Sequence, residues 1–257
     1  MIEVYLKAER QNRIRQLVEQ RGSATVPEMS AQFEVSKATI RRDLEELDGQ
    51  GWLQRTHGGA VRLESATKES PMVQRIDEQL VEKRRIGEAA AGLIQDRETI
   101  FLGSGTTVLE IARHLPGGIR LTVITNSLPI VNELAEKPGI ELIVIGGMLR
   151  QSELSMVGHV AEQAVHEFRA DRVFMGMYAI DARHGFTNDY LPETMTDRAI
   201  LTIARQVIVV ADHSKFGRVS SALVGPVTIA QIIITDCEIP EAWVAELVDL
   251  GVEMKVV

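Results

Sequence analysis

The chain has 257 residues, 45% hydrophobic and 25% charged, with no apolar run near the roughly 20 residues of a membrane span and no apolar signal region in Met1-Ile2-Glu3-Val4-Tyr5-Leu6-Lys7; a globular protein with no membrane partner and a cytoplasmic location is expected. Its single cysteine, Cys237, excludes an intramolecular disulfide framework and a multi-cysteine zinc site. The net charge of -8 is uneven, because residues 1–65 hold ten basic and ten acidic side chains while the other 192 hold 18 against 26, so overall acidity does not exclude nucleic acid as a partner of the first part.

Ile14, Leu17 and Val18 form one stripe of a first helix that Gly22 can end. A second, short helix is expected from Thr25 to about Phe33, with Thr25 and Glu28 at capping-box spacing and Pro27 in the tolerant first turn. Glu34-Val35 turns the chain, and Ser36 caps a third helix whose Ile40, Leu44 and Leu47 face inward at i, i+4 and i+7. That register leaves Ala38, Arg41 and Arg42 outward, with Lys37 in the opening turn. Two helices joined by a tight turn, the second opening Ser36-Lys37-Ala38-Thr39, have the form of a helix-turn-helix reader of double-stranded DNA. Short hydroxyls and backbone N–H groups at such a helix end suit phosphates, and arginines fork onto guanine edges. For an isolated Arg pair the alternative is a solvated charged face. Next come two strand-like runs, Leu53 to His57 and Ala60 to Leu63, separated by Gly58-Gly59, which reads as a hairpin. A hairpin directly after a recognition helix is a wing, and it would bring Arg55 and His57 to the DNA.

The residues Val35-Ser36-Lys37-Ala38-Thr39-Ile40-Arg41-Arg42-Asp43-Leu44, with Arg55-Thr56-His57-Gly58-Gly59-Ala60, resemble the N-terminal signature of the DeoR family of bacterial transcriptional regulators. The resemblance covers nearly all of residues 8 to 62 and implies a winged helix-turn-helix domain over 1–63.

Residues 64–73 are polar and aperiodic and read as a linker. A helix is expected from about Gln74 to Gln95. Beyond it, seven apolar runs rich in β-branched residues alternate mostly with helical stretches such as Val108 to Leu115: Thr99 to Leu102, Leu121 to Thr125, Ile140 to Ile145, Val173 to Met175, Val207 to Ala211, Ile232 to Thr235 and Glu253 to Val257. Runs that are continuously apolar imply a sheet covered on both faces, hence a mostly parallel α/β domain over 74–257. Ligands of such sheets sit beyond the carboxyl ends of the strands. The polar residues there are Gly103 with Ser104-Gly105-Thr106-Thr107, then Thr125-Asn126-Ser127, Gly146-Gly147, and Asp212-His213-Ser214-Lys215. The first set opens a helix with small residues and hydroxyls, which suits a phosphate group, but it lacks the lysine of a nucleotide P-loop. Lys215 would supply a countercharge and Asp212 would accept from sugar hydroxyls or hold the lysine. As separate features, Asn126 equally reads as a helix cap and Lys215 as a solvated loop lysine.

The second part also resembles the DeoR family, through Glu82-Lys83-Arg84-Arg85-Ile86, the Gly-Thr-Thr loop, Gly146-Gly147, Gly176, Gly185-Phe186-Thr187 and Asp212-x-Ser214-Lys215-Phe216-Gly217. The resemblance implies a ribose-5-phosphate isomerase-like fold that senses a phosphorylated sugar, with Lys83, Asp212, Lys215 and Arg75 taking part in the response. It also implies a repressor of sugar-metabolism genes. The sequence departs from the pattern at Gly103, where many relatives have Asp, and at Ala179, where Gly is usual. A homodimer or homotetramer is expected, because one neutral winged domain supplies few phosphate contacts.

The second functional class considered is a sugar-phosphate isomerase with an appended DNA module, for which Glu193 and Asp181 are the nameable base candidates. Neither lies in a recognisable catalytic motif, so no enzyme is expected. His57, His114, His159, His166, His184 and His213 have no metal-ligand spacing, and no metal or cofactor is expected. Cys237 is expected in the core, and Met175, Met177 and Met195 as core or pocket lining.

Overall fold

The computed structural model describes residues 7–21, 23–49, 53–56, 58–61, 64–65 and 71–257. Its contacts divide the chain into two units, Met1–Glu64 and Ser65–Val257.

In the first unit, α1 (Lys7–Arg21), α2 (Val26–Gln32) and α3 (Lys37–Gly49) pack with a sheet of β1 (Ser23–Thr25), β2 (Gln54–Thr56) and β3 (Gly59–Val61). The expected capping box opens α2: the Thr25 hydroxyl accepts from the Glu28 N–H at 3.3 Å, and the Glu28 carboxylate accepts from the Thr25 N–H at 2.8 Å. The Ser36 hydroxyl accepts from the Thr39 N–H at 3.1 Å and so caps α3. Ile14, Leu17 and Val18 of α1 meet Met29, Phe33, Ile40, Leu44 and Leu47 in one apolar core.

Two features of this unit escape the sequence pattern. The sheet has a third strand, β1, which pairs antiparallel with the central β3; three residues are too few to show a period. Gly59 lies in β3 rather than in the hairpin link, because a Cβ there would fall 2.2 Å from the Ala24 carbonyl oxygen.

The second unit is packed from Met72, which is fully buried and donates its N–H to the Ser152 carbonyl at 2.7 Å. The single helix expected over 74–95 is instead α4 (Met72–Arg75) followed by α5 (Leu80–Ala91). Gln79, at φ +45°, breaks the run. The Lys83 ammonium donates to the Arg75 carbonyl at 2.8 Å and also to that of Glu78, replacing partners that an unbroken helix would have supplied.

All seven apolar runs join one parallel sheet. Its strands are β4 (Thr99–Leu102), β5 (Leu121–Thr125), β6 (Ile140–Val144), β7 (Ala170–Gly176), β8 (Ala204–Val210), β9 (Ile232–Thr235) and β10 (Glu253–Val256), in the order β6-β5-β4-β7-β8-β9-β10. Alternate residues feed two cores. Phe101, Val173, Met175, Val207, Val209 and Ile233 face one side, and Ile100, Leu102, Phe174, Ile208, Val210 and Ile234 face the other. Along with α5, helices α6 (Thr106–His114) and α7 (Leu128–Leu134) cover the second side; α8 (His159–His166), α9 (Leu191–Thr202) and α10 (Glu241–Asp249) cover the first. The result is a three-layer, doubly covered α/β domain.

Shorter hairpins decorate the sheet: 148–150 with 155–157, and 179–181 with 185–188. Cys237 is exposed rather than in the core, because β9 ends at Thr235 and the chain turns there. Met195 is also exposed, at 41%, on the outer side of α9.

Candidate functional site

On the first unit, the outward face of α3 presents Lys37, Ala38, Arg41 and Arg42, all exposed, with Ser36 exposed just before it and Thr39 half-buried. On the opposite, buried side of α3, Asp43 is 2% exposed by side chain and takes a forked ion pair from Arg10 of α1, at 2.6 Å to Nε and 3.2 Å to Nη2. This buried fork and the apolar face of Ile40, Leu44 and Leu47 hold the rotation of α3 about its axis, so the direction of Arg41 and Arg42 is set from behind. In the hairpin, Arg55 is exposed and donates its backbone N–H to Asp48 at 3.1 Å. His57 lies outside the described residues.

The order of the large sheet places a topological switch between β4 and β7, where the chain stops building outward through β5 and β6 and returns to build the other half. Ligands of open α/β sheets bind in the crevice at the carboxyl ends of strands flanking such a switch. A small cavity of about 60 Å³, open to solvent, lies there. Ser104, Gly105, Thr106 and Thr107 line it after β4, Gly176, Met177 and Tyr178 at the end of β7, and Val210, Ala211 and Lys215 at the end of β8. Gly105 precedes α6 at φ +117°, a conformation that favours glycine and directs the first N–H groups of α6 outward from the strand end. Arg75, from the short helix α4, also lines the cavity.

The other expected positions stand behind or beside this wall. Asp212 is 1% exposed and accepts from the Ser214 N–H at 3.0 Å and from its hydroxyl, fixing the turn that carries Lys215. Burial works against its charge, but the Ser214 hydrogen bond and the nearby Lys215 and Lys83 charges prevail and hold its pKa below the usual carboxylate value. Lys83 is lowered by burial, which outweighs the attraction of Asp212. Thr125, Asn126 and Ser127 are tied into the structure: Thr125 Oγ1 donates to the Leu102 carbonyl at 2.7 Å and accepts from the Ser127 N–H, while Asn126 Nδ2 donates to the Met156 carbonyl at 3.0 Å. Gly146 and Gly147 are exposed in the turn before the 148–150 strand. None of these seven residues lines the cavity.

Part of the wall is not legible in the sequence. Arg150, Glu153, Asn188 and Asp197 line the cavity and were not singled out, and Glu193 was named only as a possible base. Arg75 donates to Glu153 at 2.7 and 2.5 Å. Arg150 pairs with Glu193 and with Asp189 at 3.1 Å, and its guanidinium lies 4.7 Å from the Tyr190 ring centre. Asn188 donates to Glu193 at 2.9 Å and to Asp197 at 3.4 Å. Burial raises the pKa of Glu193, opposed by Arg150. Burial and then the Glu193 charge raise the pKa of Asp197 well above the ordinary value. The usable signal was the i, i+4 spacing of Glu193 and Asp197, which places two carboxyls on one face of a helix. Asp181 serves elsewhere, accepting from the N–H groups of Arg183 and His184 in its hairpin turn. At Gly103 a Cβ would fall 2.5 Å from Met175 Sδ, so the thioether fills the space of a side chain there.

Comparison with known proteins matches both units. The model of the DeoR-like helix-turn-helix domain covers residues 10–66, and that of the DeoR C-terminal sensor domain covers 78–237. The HTH-type transcriptional regulator GolR of Listeria innocua is 34% identical over 248 residues, spanning 96% of this chain and 98% of the relative. The glycerol-3-phosphate regulon repressor of Escherichia coli is 33% identical over 249 residues, spanning 97% and 98%. Among solved structures, ribose 5-phosphate isomerase A of Methanocaldococcus jannaschii is similar with a TM-score of 0.40 and 18% identity over 54% of this chain and 55% of that one. Matches to both domain models, in the same order and at nearly full length in the relatives, establish that the chain belongs to the DeoR family of DNA-binding transcriptional regulators.

Proposed function

We propose that this regulator is a repressor of sugar-metabolism genes that binds a duplex operator through α3 and the wing, and is released by a phosphorylated sugar bound at the switch-point cavity. The observation that carries the sensing half is the convergence of Arg75, Lys215 and the Ser104–Thr107 turn on one cavity. Lys215 and a helix N-terminus on one wall suit a phosphate dianion, with Arg75, already paired to Glu153, beside them. The relatives named for a glycerol-3-phosphate regulon and for repression support the same reading. Ser36, Lys37, Thr39, Arg55 and His57 serve the DNA backbone, Ala38 allows close approach, and Arg41 and Arg42 read base edges. The residues between the wing and Met72 link the two domains, a stretch shorter than the expected 64–73 because Met72 and Val73 belong to α4, and the working form is a homodimer or homotetramer that engages paired half-sites. Asp212 fixes the turn that carries Lys215, Lys83 holds the end of α4 that carries Arg75, and Thr125, Asn126, Ser127, Gly146 and Gly147 shape the strand ends around the site.

An isomerase reading gains nothing from the geometry. Glu193 is committed to Arg150 and Asn188, and Asp181 to its own turn, so neither presents an uncommitted base.

The test selects duplex DNA from a random pool with the purified protein and then titrates the winning duplex in the presence of a panel of phosphorylated sugars. The expected result is a sequence-specific duplex whose affinity falls at least roughly fivefold with one panel member, the lower end of ordinary allosteric coupling. A specific duplex indifferent to the whole panel contradicts the sensing half, and failure to enrich any duplex contradicts the DNA half.

A further inference from the structure

Asp197 is the one carboxyl of the cavity wall that forms no ion pair among the described residues. Glu153 has Arg75 and Glu193 has Arg150. Asp197 has only the Asn188 amide at 3.4 Å, although the residue is 6% exposed and lines the cavity. It projects from the second turn of α9, one turn beyond Glu193, on a different element from the Ser104–Thr107 turn and from Lys215. The two arginines of the cavity already carry carboxylate partners, so they do not offer an uncompensated charge to a second acidic group on a ligand.

We propose that Asp197, with Asn188, reads the hydroxyl-bearing carbon chain of the phosphorylated ligand, and that the cavity therefore takes a neutral polyhydroxyl phosphate and rejects a phosphorylated sugar acid. A carboxyl without an ion-pair partner accepts from a ligand hydroxyl, and the Asn188 amide beside it donates, which matches the mixed character of vicinal hydroxyls. A ligand carboxylate set against it would bury two like charges together, a penalty that removal of the Asp197 charge relieves. Discrimination of this kind comes from the repulsive element as much as from the attractive one. The inference rests on the reading of the cavity as a phosphorylated-sugar site.

The experiment is calorimetric titration of the full chain with inorganic phosphate, glucitol 6-phosphate and 6-phosphogluconate, repeated on Asp197→Asn. Glucitol 6-phosphate is expected to bind roughly tenfold or more tighter than 6-phosphogluconate, a difference of about 1.4 kcal/mol. Asp197→Asn is expected to bring the two affinities within about threefold while leaving that for inorganic phosphate in place. Equal binding of the two sugar derivatives by the wild-type chain overturns the inference while leaving the phosphate site standing. An unchanged ratio in Asp197→Asn also overturns it, and the wild-type ratio alone remains decisive if that variant does not fold. No binding of any of the three overturns both the inference and the phosphorylated-sugar reading beneath it.

Discussion

A buried carboxyl with a raised pKa leaves a mark on stability. Asp197 is held well above its ordinary 3.8 by burial and by the Glu193 charge beside it. The unfolded chain therefore releases this proton at a lower pH than the native one does. Between the two values the native state binds more protons, so stability falls as pH rises from about 4. Asp197→Asn keeps an acceptor for Asn188 and removes the penalty. The Tm advantage of Asp197→Asn over wild type should thus grow as pH is raised from about 4 and level off above the native pKa, with Arg150, Glu153 and Glu193 present in both proteins. Differential scanning calorimetry across that range checks it. A difference that does not change with pH would mean that Asp197 ionises normally. A stabilising substitution that damages ligand selection is the usual sign of a residue kept for function.

Helix α3 shows how a functional direction is built from an apolar stripe. Ile40, Leu44 and Leu47 turn inward, and the Arg10–Asp43 fork adds a directional lock on the same side. Arg41 and Arg42 then have one way to face. Arg41→Ala and Arg42→Ala should each weaken binding to the selected duplex by roughly 1 to 3 kcal/mol if they fork onto bases. Footprinting and titration against matched and scrambled duplexes separate the cases: a loss uniform across sequences assigns them to phosphates, and no loss removes α3 from the interface. This stripe was legible in the sequence because a helix of 13 residues repeats its period several times, and so were the seven strands of the large sheet, because burial on both faces makes them continuously apolar. The three-residue β1, the break at Gln79 and the paired hairpins were not legible. Their causes are a close approach at Gly59 and a Lys83 side chain that caps carbonyls across sequence, and no local pattern encodes either. Part of the cavity wall is not legible for the same reason: Arg150 and Glu153, Asn188, and Asp197 come from two hairpins and a helix that only the sheet order brings to the β4–β7 switch.

At the scale of the molecule, a neutral DNA-binding unit and an acidic sensing unit share one chain, and regulation requires that occupancy of one alter the affinity of the other. A ligand shifts the DNA-bound population only by its differential affinity for the two states, typically about 1 to 3 kcal/mol of coupling. Neutral charge in the first unit makes pairing of half-sites in an oligomer the expected source of affinity, and phosphate contacts make that affinity steeply dependent on salt. The most direct measurement is therefore affinity for the selected duplex at fixed salt, with and without saturating sugar phosphate, for wild type, Lys215→Ala and Asp212→Asn. Lys215→Ala should bind DNA like wild type without ligand and no longer respond to it, and Asp212→Asn should lose part of the response, because it fixes the turn that aims Lys215. Wild-type release by the ligand in both variants would contradict the proposed cavity as the sensor.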